Sequence, residues 1–138
     1  MHLQLQFLVQ LIHRYHLLYK QQHNKMSIIE NDDDFISKLM LAVEKQSIKE
    51  VKNIINNYPN AKNVNINKQN KYKDQTVFML AAQNNTNVEV IKYLCTTFKD
   101  TIDINKQDNY GNTALMYAAR NNTNVEVIQY LCTTFKDT

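Results

Sequence analysis

A block of eighteen residues occurs twice in this chain with a single difference. Residues 84–101 read NNTNVEVIKYLCTTFKDT and residues 121–138 read NNTNVEVIQYLCTTFKDT, at an offset of 37 (121 − 84), and they differ only at Lys92 against Gln129. Carried backwards at the same offset, Thr76 pairs with Thr113, Met79 with Met116, and Ala81-Ala82 with Ala118-Ala119. Self-similarity at a fixed period of tens of residues marks an array, in which a unit buries its apolar face only by stacking on a neighbour.

Each unit divides into two helical stretches. The first runs from Thr113 to about Asn121, with Leu115, Ala118 and Ala119 at helical spacing. The second runs from about Asn124 to Phe135, with Val127, Ile128, Leu131 and Phe135 on one stripe. Thr123-x-x-Glu126 and the earlier Thr86-x-x-Glu89 have the capping-box pattern, which places a threonine at the N-cap of each second helix. Thr76 and Thr113 are read as caps of the first helices. Between units, the Asp, Asn and Gly of residues 104–112 suit a tight turn, and Gly111 can take positive φ without steric cost.

The run D-N-Y-G-N-T-A-L-M-Y-A-A followed by V-E-V-I-Q-Y-L resembles the ankyrin repeat, whose pattern is roughly D-x-x-G-x-T-P-L-H-x-A-A followed by V-V-x-L-L. Turn, first helix and second helix come in the right order, twice. Val77 and Ala114 replace the family's Pro, Met79 and Met116 replace its His, and the period exceeds the usual ~33 residues. Losing the His removes its hydrogen bond to Thr76 or Thr113 and predicts a weaker polar network between units. The resemblance implies an all-α fold, an ankyrin-type α-solenoid of about three helix-turn-helix repeats joined by hairpin-like loops. The repeat domain would span 27–138, with units at about 34–65, 66–103 and 104–138, behind an extension at 1–26.

The first unit is degenerate. Aligned without gaps, Ser37 falls on Thr76 and Ala42 on Ala81 (offset 39), and Ser47-x-x-Glu50 falls on Thr86-x-x-Glu89. Leu39, Ala42, Val51, Ile54 and Ile55 are expected inside; Lys38, Lys45, Lys49 and Lys52 are expected outside, as suits a terminal unit whose outer face stays polar. The carboxylates of Asn31-Asp32-Asp33-Asp34 offset the positive end of a helix starting there. Tyr58-Pro59 ends the second helix. The loop 70–75 has one residue more than 108–112 and no glycine, which predicts a looser hairpin. At the other end, no polar cap follows the third unit, so its outer face is expected to be open to a partner, to self-association or to further repeats.

The net charge of +3 is too small and dispersed to indicate a nucleic acid. A single glycine excludes a P-loop or dinucleotide fingerprint, and all four His lie within residues 1–26, away from any nucleophile of the repeats. No catalysis, cofactor or metal is expected. Cys95 and Cys132 occupy equivalent positions one unit apart; helices ~8–10 Å apart are too distant for a bridge that needs Cα atoms within ~7 Å. Both read as small buried hydrophobes in a reducing, cytoplasmic compartment. Abundant Asn is read as turn chemistry, since Asn tolerates left-handed backbone.

Residues 1–26 carry no acidic side chain and place Leu8, Leu11, Ile12, Tyr15, Leu18 and Tyr19 at helical spacing. The segment falls short of ~18 consecutive apolar residues, and it lacks the basic start and small-residue cleavage site of a secretory signal. An amphipathic helix, a dispensable or disordered extension ahead of Met26-Ser27, and a targeting segment all remain open. His13 and His16 share a helix face but have no further ligand at fixed spacing.

The function expected is a non-catalytic module binding a protein partner, with membrane association through residues 1–26 as the alternative. Ankyrin repeats bind through hairpin tips and first-helix faces. Residue by residue, the resemblance implies Lys71, Tyr72, Lys73, Gln75, Gln83 and Asn84 in one unit. In the next it implies Asn109, Tyr110, Asn112, Arg120 and Asn121. Tyr72 and Tyr110 are the expected anchors, because aromatic residues dominate binding hot spots.

Overall fold

The structure is a computed structural model that describes residues 2–25 and 31–138, with side chains described at 3–18 and 31–138. The boundary at Met26-Ser27 and the side chains of His2 and His23 lie outside the described residues. Two compact units are present, residues 1–30 and residues 31–138. The first contains helix α1, His2–Lys25, whose described side chains are all exposed, including Leu8, Leu11 and Ile12. No helix among the described residues is long and apolar enough to cross a membrane.

The second unit holds three helix pairs and, among the described residues, no strand. These are α2 (Asp32–Glu44) with α3 (Ile48–Asn57), α4 (Val77–Asn84) with α5 (Val88–Thr97), and α6 (Ala114–Asn121) with α7 (Val125–Thr134). The leading helices α2, α4 and α6 form one layer and the trailing helices α3, α5 and α7 a second. In α4 six consecutive residues, Val77 to Ala82, are buried. An isolated helix cannot bury its whole circumference, so α4 is enclosed by α2, α6 and α5 together.

The helix starts show where sequence patterns mislead. Asn31 caps α2 by accepting from Asp34 N at 2.9 Å, with Asp32, Asp33 and Asp34 in the first turn. Thr76 and Thr113 cap α4 and α6 by accepting from Met79 N and Met116 N. Ser47 caps α3 by accepting from Glu50 N. In α5 and α7, however, the N-caps are Asn87 and Asn124, one residue after the predicted threonines. Each Asn accepts from the backbone N–H two residues on, at 3.1 and 3.0 Å, a tight local geometry available to the short Asn side chain. Thr86 is freed to reach the preceding unit, where its hydroxyl donates to Gln46 Oε1.

The first unit packs nearly as its alignment predicts. Leu39, Ala42, Val51 and Ile55 are buried, whereas Ile54 is half-buried. Lys45, Lys49 and Lys52 are exposed; Lys38 is half-buried beside Asp34, with which it forms an ion pair at 2.8 Å. Tyr58 ends α3, stacks on Phe35 and donates to Asp32 Oδ1.

Neighbouring pairs are also joined by side-chain amides, so the polar network expected to weaken with the missing His is rebuilt from Asn. Asn85 Nδ2 donates to Val43 O at 3.1 Å. One unit later Asn122 Nδ2 donates to both Ala82 O and Asn85 O at 2.9 Å, and Asn124 Nδ2 donates to Thr86 O. In the loops, Asn67 donates to Thr101 O and accepts from Asp103 N.

Candidate protein-binding surface

Two loops project from the leading-helix layer, and each is fixed by one side chain. In the first, Asn70 Oδ1 accepts from the backbone N–H of Tyr72, Lys73 and Gln75, while Asn70 N donates to Gln75 O at 2.8 Å. The missing glycine is replaced by Asp74, which takes the left-handed conformation at φ 54°; a short polar side chain tolerates this better than most. The loop expected to be loose is therefore anchored at three points.

In the second loop the anchor is Asp108. Its Oδ1 accepts from Tyr110 N at 2.9 Å and Asn112 N at 2.8 Å, and its Oδ2 accepts from the Tyr117 hydroxyl. Gly111 takes φ 80° at the turn. Burial alone would raise the Asp108 pKa, but the hydrogen bonds from Tyr117, Asn112 and Tyr110 outweigh it and hold the carboxyl below its ordinary value. Burial and the Asp108 contact push the Tyr117 phenol up. The two loops are joined where Asn109 N donates to Lys73 O at 3.1 Å.

This scaffold sorts the expected contact residues. Tyr72 and Tyr110 stand out from the loop tips, 90% and 71% exposed. Lys71, Lys73, Asn109, Arg120 and Asn121 are exposed as well, and Gln83, Asn84 and Asn112 are half-buried. Gln75 is a correction: it is 5% exposed, and its Nε2 donates to Gln83 Oε1. The counterpart contact one unit on is Arg120 Nη2 to Asn112 Oδ1 at 3.3 Å. Both pairs tie the base of a loop to the end of the leading helix below it, which fixes the angle of the loop over the layer.

Between the first loop and α2 lies a groove of about 490 Å³. Ile36, Met40, Leu41 and Leu80 contribute its apolar part, and Lys71 and Tyr72 contribute from the loop. Leu41 is 57% exposed, although its counterparts Leu80 and Tyr117 are buried. Sequence reasoning missed Met40 and Leu41; the signal was an apolar residue in α2 at a position that the later units cover with a preceding helix.

Both thiols are free. Cys95 is buried, and burial pushes its pKa up to about 12 despite a hydrogen bond with Tyr130. Cys132, expected to be buried like Cys95, is exposed, because among the described residues no helix pair packs on the third unit as α6 and α7 pack on α4 and α5. Among the described residues no group of His, Cys, Asp and Glu could hold a metal ion.

A family model described as ankyrin repeats, in three copies, matches residues 39–138. No curated protein matches the chain by sequence. Among solved structures, a chain of the crystal structure of the yeast ribosomal protein Rps3 in complex with its chaperone Yar1 is similar, with a TM-score of 0.64 and 20% identity. The likeness covers 77% of this chain and 73% of that one. At that identity the likeness shows the fold.

Proposed function

We propose that this chain, which belongs to the ankyrin-repeat family, is a non-catalytic module that grips a protein partner with Tyr72 and Tyr110 at its loop tips. The observation that carries this reading is the exposure of both rings on loops held rigid from below by Asn70 and Asp108. Large apolar groups left in water on a preorganised support bind with little ordering cost. Lys71 and Lys73 flank Tyr72 and form no ion pair among the described residues. A partner offering an apolar group to the groove and a carboxylate beside it suits this lip. Asn109, Asn112, Arg120 and Asn121 would extend the contact along the second loop and α6, with Gln83 and Asn84 at its edge. The solved structure that shares the fold is itself a complex between a protein and its chaperone, which agrees with a protein as the ligand.

The test is affinity capture from a cell lysate with the chain and with the Tyr72→Ala/Tyr110→Ala double variant, quantified by mass spectrometry. Specific partners should fall at least roughly tenfold in recovery, the loss expected when hot-spot aromatics worth about 2 kcal/mol or more are removed. Far-UV circular dichroism should stay unchanged. Full recovery of every partner by a folded double variant would rule the loop tips out.

A further inference from the structure

Helix α1 leaves an apolar stripe in solvent. At about 3.6 residues per turn, Phe7, Leu8, Leu11, Ile12, Tyr15 and Leu18 fall within an arc of about 140°. Each of these side chains is between 51% and 73% exposed. Over residues 5–18 no polar residue falls in that arc. Gln6, Gln10, His13, Arg14 and His16 occupy the rest of the circumference, with Val9 and Leu17 among them. A contiguous stripe of large apolar side chains left in water, rimmed by polar residues, marks a contact surface.

The charge beside the stripe is one-sided. Residues 1–25 contain Arg14, Lys20 and Lys25 and no Asp or Glu; the first acidic residue of the chain is Glu30. Residues 26–138 therefore hold 13 basic side chains (16 − 3) against all 13 acidic ones. The whole net charge of +3 belongs to the segment that forms α1. Three kinds of ligand could meet such a helix, and the two properties together separate them. A nucleic acid would answer the charge but offers no hydrocarbon to cover the stripe. A second α1 would cover the stripe but brings charge of the same sign, with no carboxylate on either helix to pair it. An anionic lipid surface answers both, with acyl chains for the stripe and headgroups for the basic groups.

We infer that α1 is a membrane-surface helix, which lies flat at the headgroup boundary of an anionic bilayer with the stripe turned to the acyl chains. Arg14 borders the stripe, so its long side chain reaches the headgroups while its stem covers apolar surface. α1 is not long and apolar enough to cross a membrane, so the contact runs along the surface rather than through it. The repeats that follow in the chain are thereby held at that surface. The site lies in a different compact unit from the loop tips and does not depend on what they bind.

The experiment is co-sedimentation of the full chain with large vesicles of phosphatidylcholine, either alone or with about a third of the lipid replaced by phosphatidylserine. Binding to the anionic vesicles should be at least roughly tenfold stronger than to the neutral ones, and should weaken as salt is raised. Leu8→Gln and Leu17→Gln make one chemical change on opposite faces of the same helix. Leu8→Gln should weaken binding by roughly tenfold, the value of one large apolar side chain kept out of the bilayer, whereas Leu17→Gln should stay within about twofold of the unaltered chain. Glutamine keeps the helix propensity close to that of leucine, and far-UV circular dichroism with vesicles present checks that both variants are helical. Arg14→Gln should cost several-fold on anionic vesicles and leave the neutral ones unchanged. The Tyr72→Ala/Tyr110→Ala variant should bind vesicles like the unaltered chain, so failure of the loop-tip reading leaves this result standing. Absence of binding to either vesicle would overturn the inference, as would equal binding to both, or equal losses from Leu8→Gln and Leu17→Gln. A dimer in sedimentation that Leu8→Gln abolishes would also overturn it and give the stripe to a second copy.

Discussion

Met79 and Met116 are the same residue at the same point of two copied units, and replacing each by alanine separates local sequence from neighbourhood. Both are the third residue of their helix, and each backbone N–H is held by a threonine cap, at 3.1 and 3.4 Å. Met79 is 1% exposed and Met116 49% exposed. Met79→Ala removes a fully buried side chain between helices and leaves a cavity, at a cost of about 2–5 kcal/mol. For Met116→Ala at most about half of the ~1.5–3 kcal/mol gained by burying such a side chain is at stake, and no closed cavity forms. Alanine's higher helix propensity returns a few tenths of a kcal/mol, at most about 0.3. The second substitution should therefore cost about 1 kcal/mol or less. Urea unfolding followed by far-UV circular dichroism reads both. On a scale of about 4 °C per kcal/mol, Met79→Ala lowers the melting temperature by about 8–20 °C and Met116→Ala by about 4 °C at most. Equal costs for the two variants would mean that the outer face of the third unit is covered in solution, and the reasoning would fail.

Four further outcomes are expected. Asn87→Ala should cost about 1 kcal/mol through loss of a helix cap, while Thr123→Ala, at an exposed position that makes no hydrogen bond among the described residues, should be nearly neutral in thermal unfolding. Because the Asp108 pKa is lowered by folding, its contribution to stability is present above the ordinary carboxylate range near ~4 and fades as pH falls through the lowered value; Asp108→Asn should flatten the acid side of the stability profile. At the alkaline end the raised Tyr117 phenol acts in the opposite sense, with stability lost as pH climbs past ~10, and Tyr117→Phe should reduce that slope, to which the raised Tyr58 and Tyr130 phenols also contribute. Amide hydrogen exchange should be faster across α6 and α7 than across α4 and α5, since short helices without a covering neighbour are marginal; equal protection in a dilute monomer would refute the open face.

Much of the fold was legible because the repeated block prints the same stripe twice. Val90 and Leu94 with Val127 and Leu131 are all buried, and the periodicity that selects them is independent of what lies next to each unit. Properties that depend on the neighbour were not legible from a single unit. Cys132 has the same local sequence as Cys95 and the opposite exposure. Gln75 sits in a loop that reads as solvated, yet it is drawn inward by Gln83 eight residues later. The misplaced caps have a different cause: Thr-Asn offers two adjacent side chains that can hold a helix N-terminus, and the pattern Thr-x-x-Glu does not say which one wins. The Asn wins here because its side chain closes on the second N–H while the Thr is occupied across the joint in one unit and exposed in the other.

Asparagine holds the further lesson. A composition rich in Asn fits loops, and Asn60 does take left-handed backbone at φ 57°. Yet Asn67, Asn85, Asn122 and Asn124 instead carry hydrogen bonds between units. The signal was present, since Asn85 recurs at Asn122 and Asn87 at Asn124 at the array's own offset, but its meaning required two units side by side. A carboxamide suits such a joint because it offers donors and an acceptor without charge, so Asn67 can serve a carbonyl and an N–H of the next unit together. Burying it incurs no ionic desolvation, and no proton is gained or lost over the physiological range. The ion pairs Lys45–Glu50 and Lys92–Glu89 within units, and Lys68–Asp33 between the second unit and the start of the first, lie at exposed positions, where such pairs are worth about 0–1 kcal/mol and are screened by salt. Cohesion between the units therefore rests on apolar stacking and neutral amides. A pH response is added to these by Asp108 and Tyr117, which brace a loop of the third unit, by Tyr58 beside Asp32 in the first unit, and by Tyr130 against Cys95 at the joint between the second and third units.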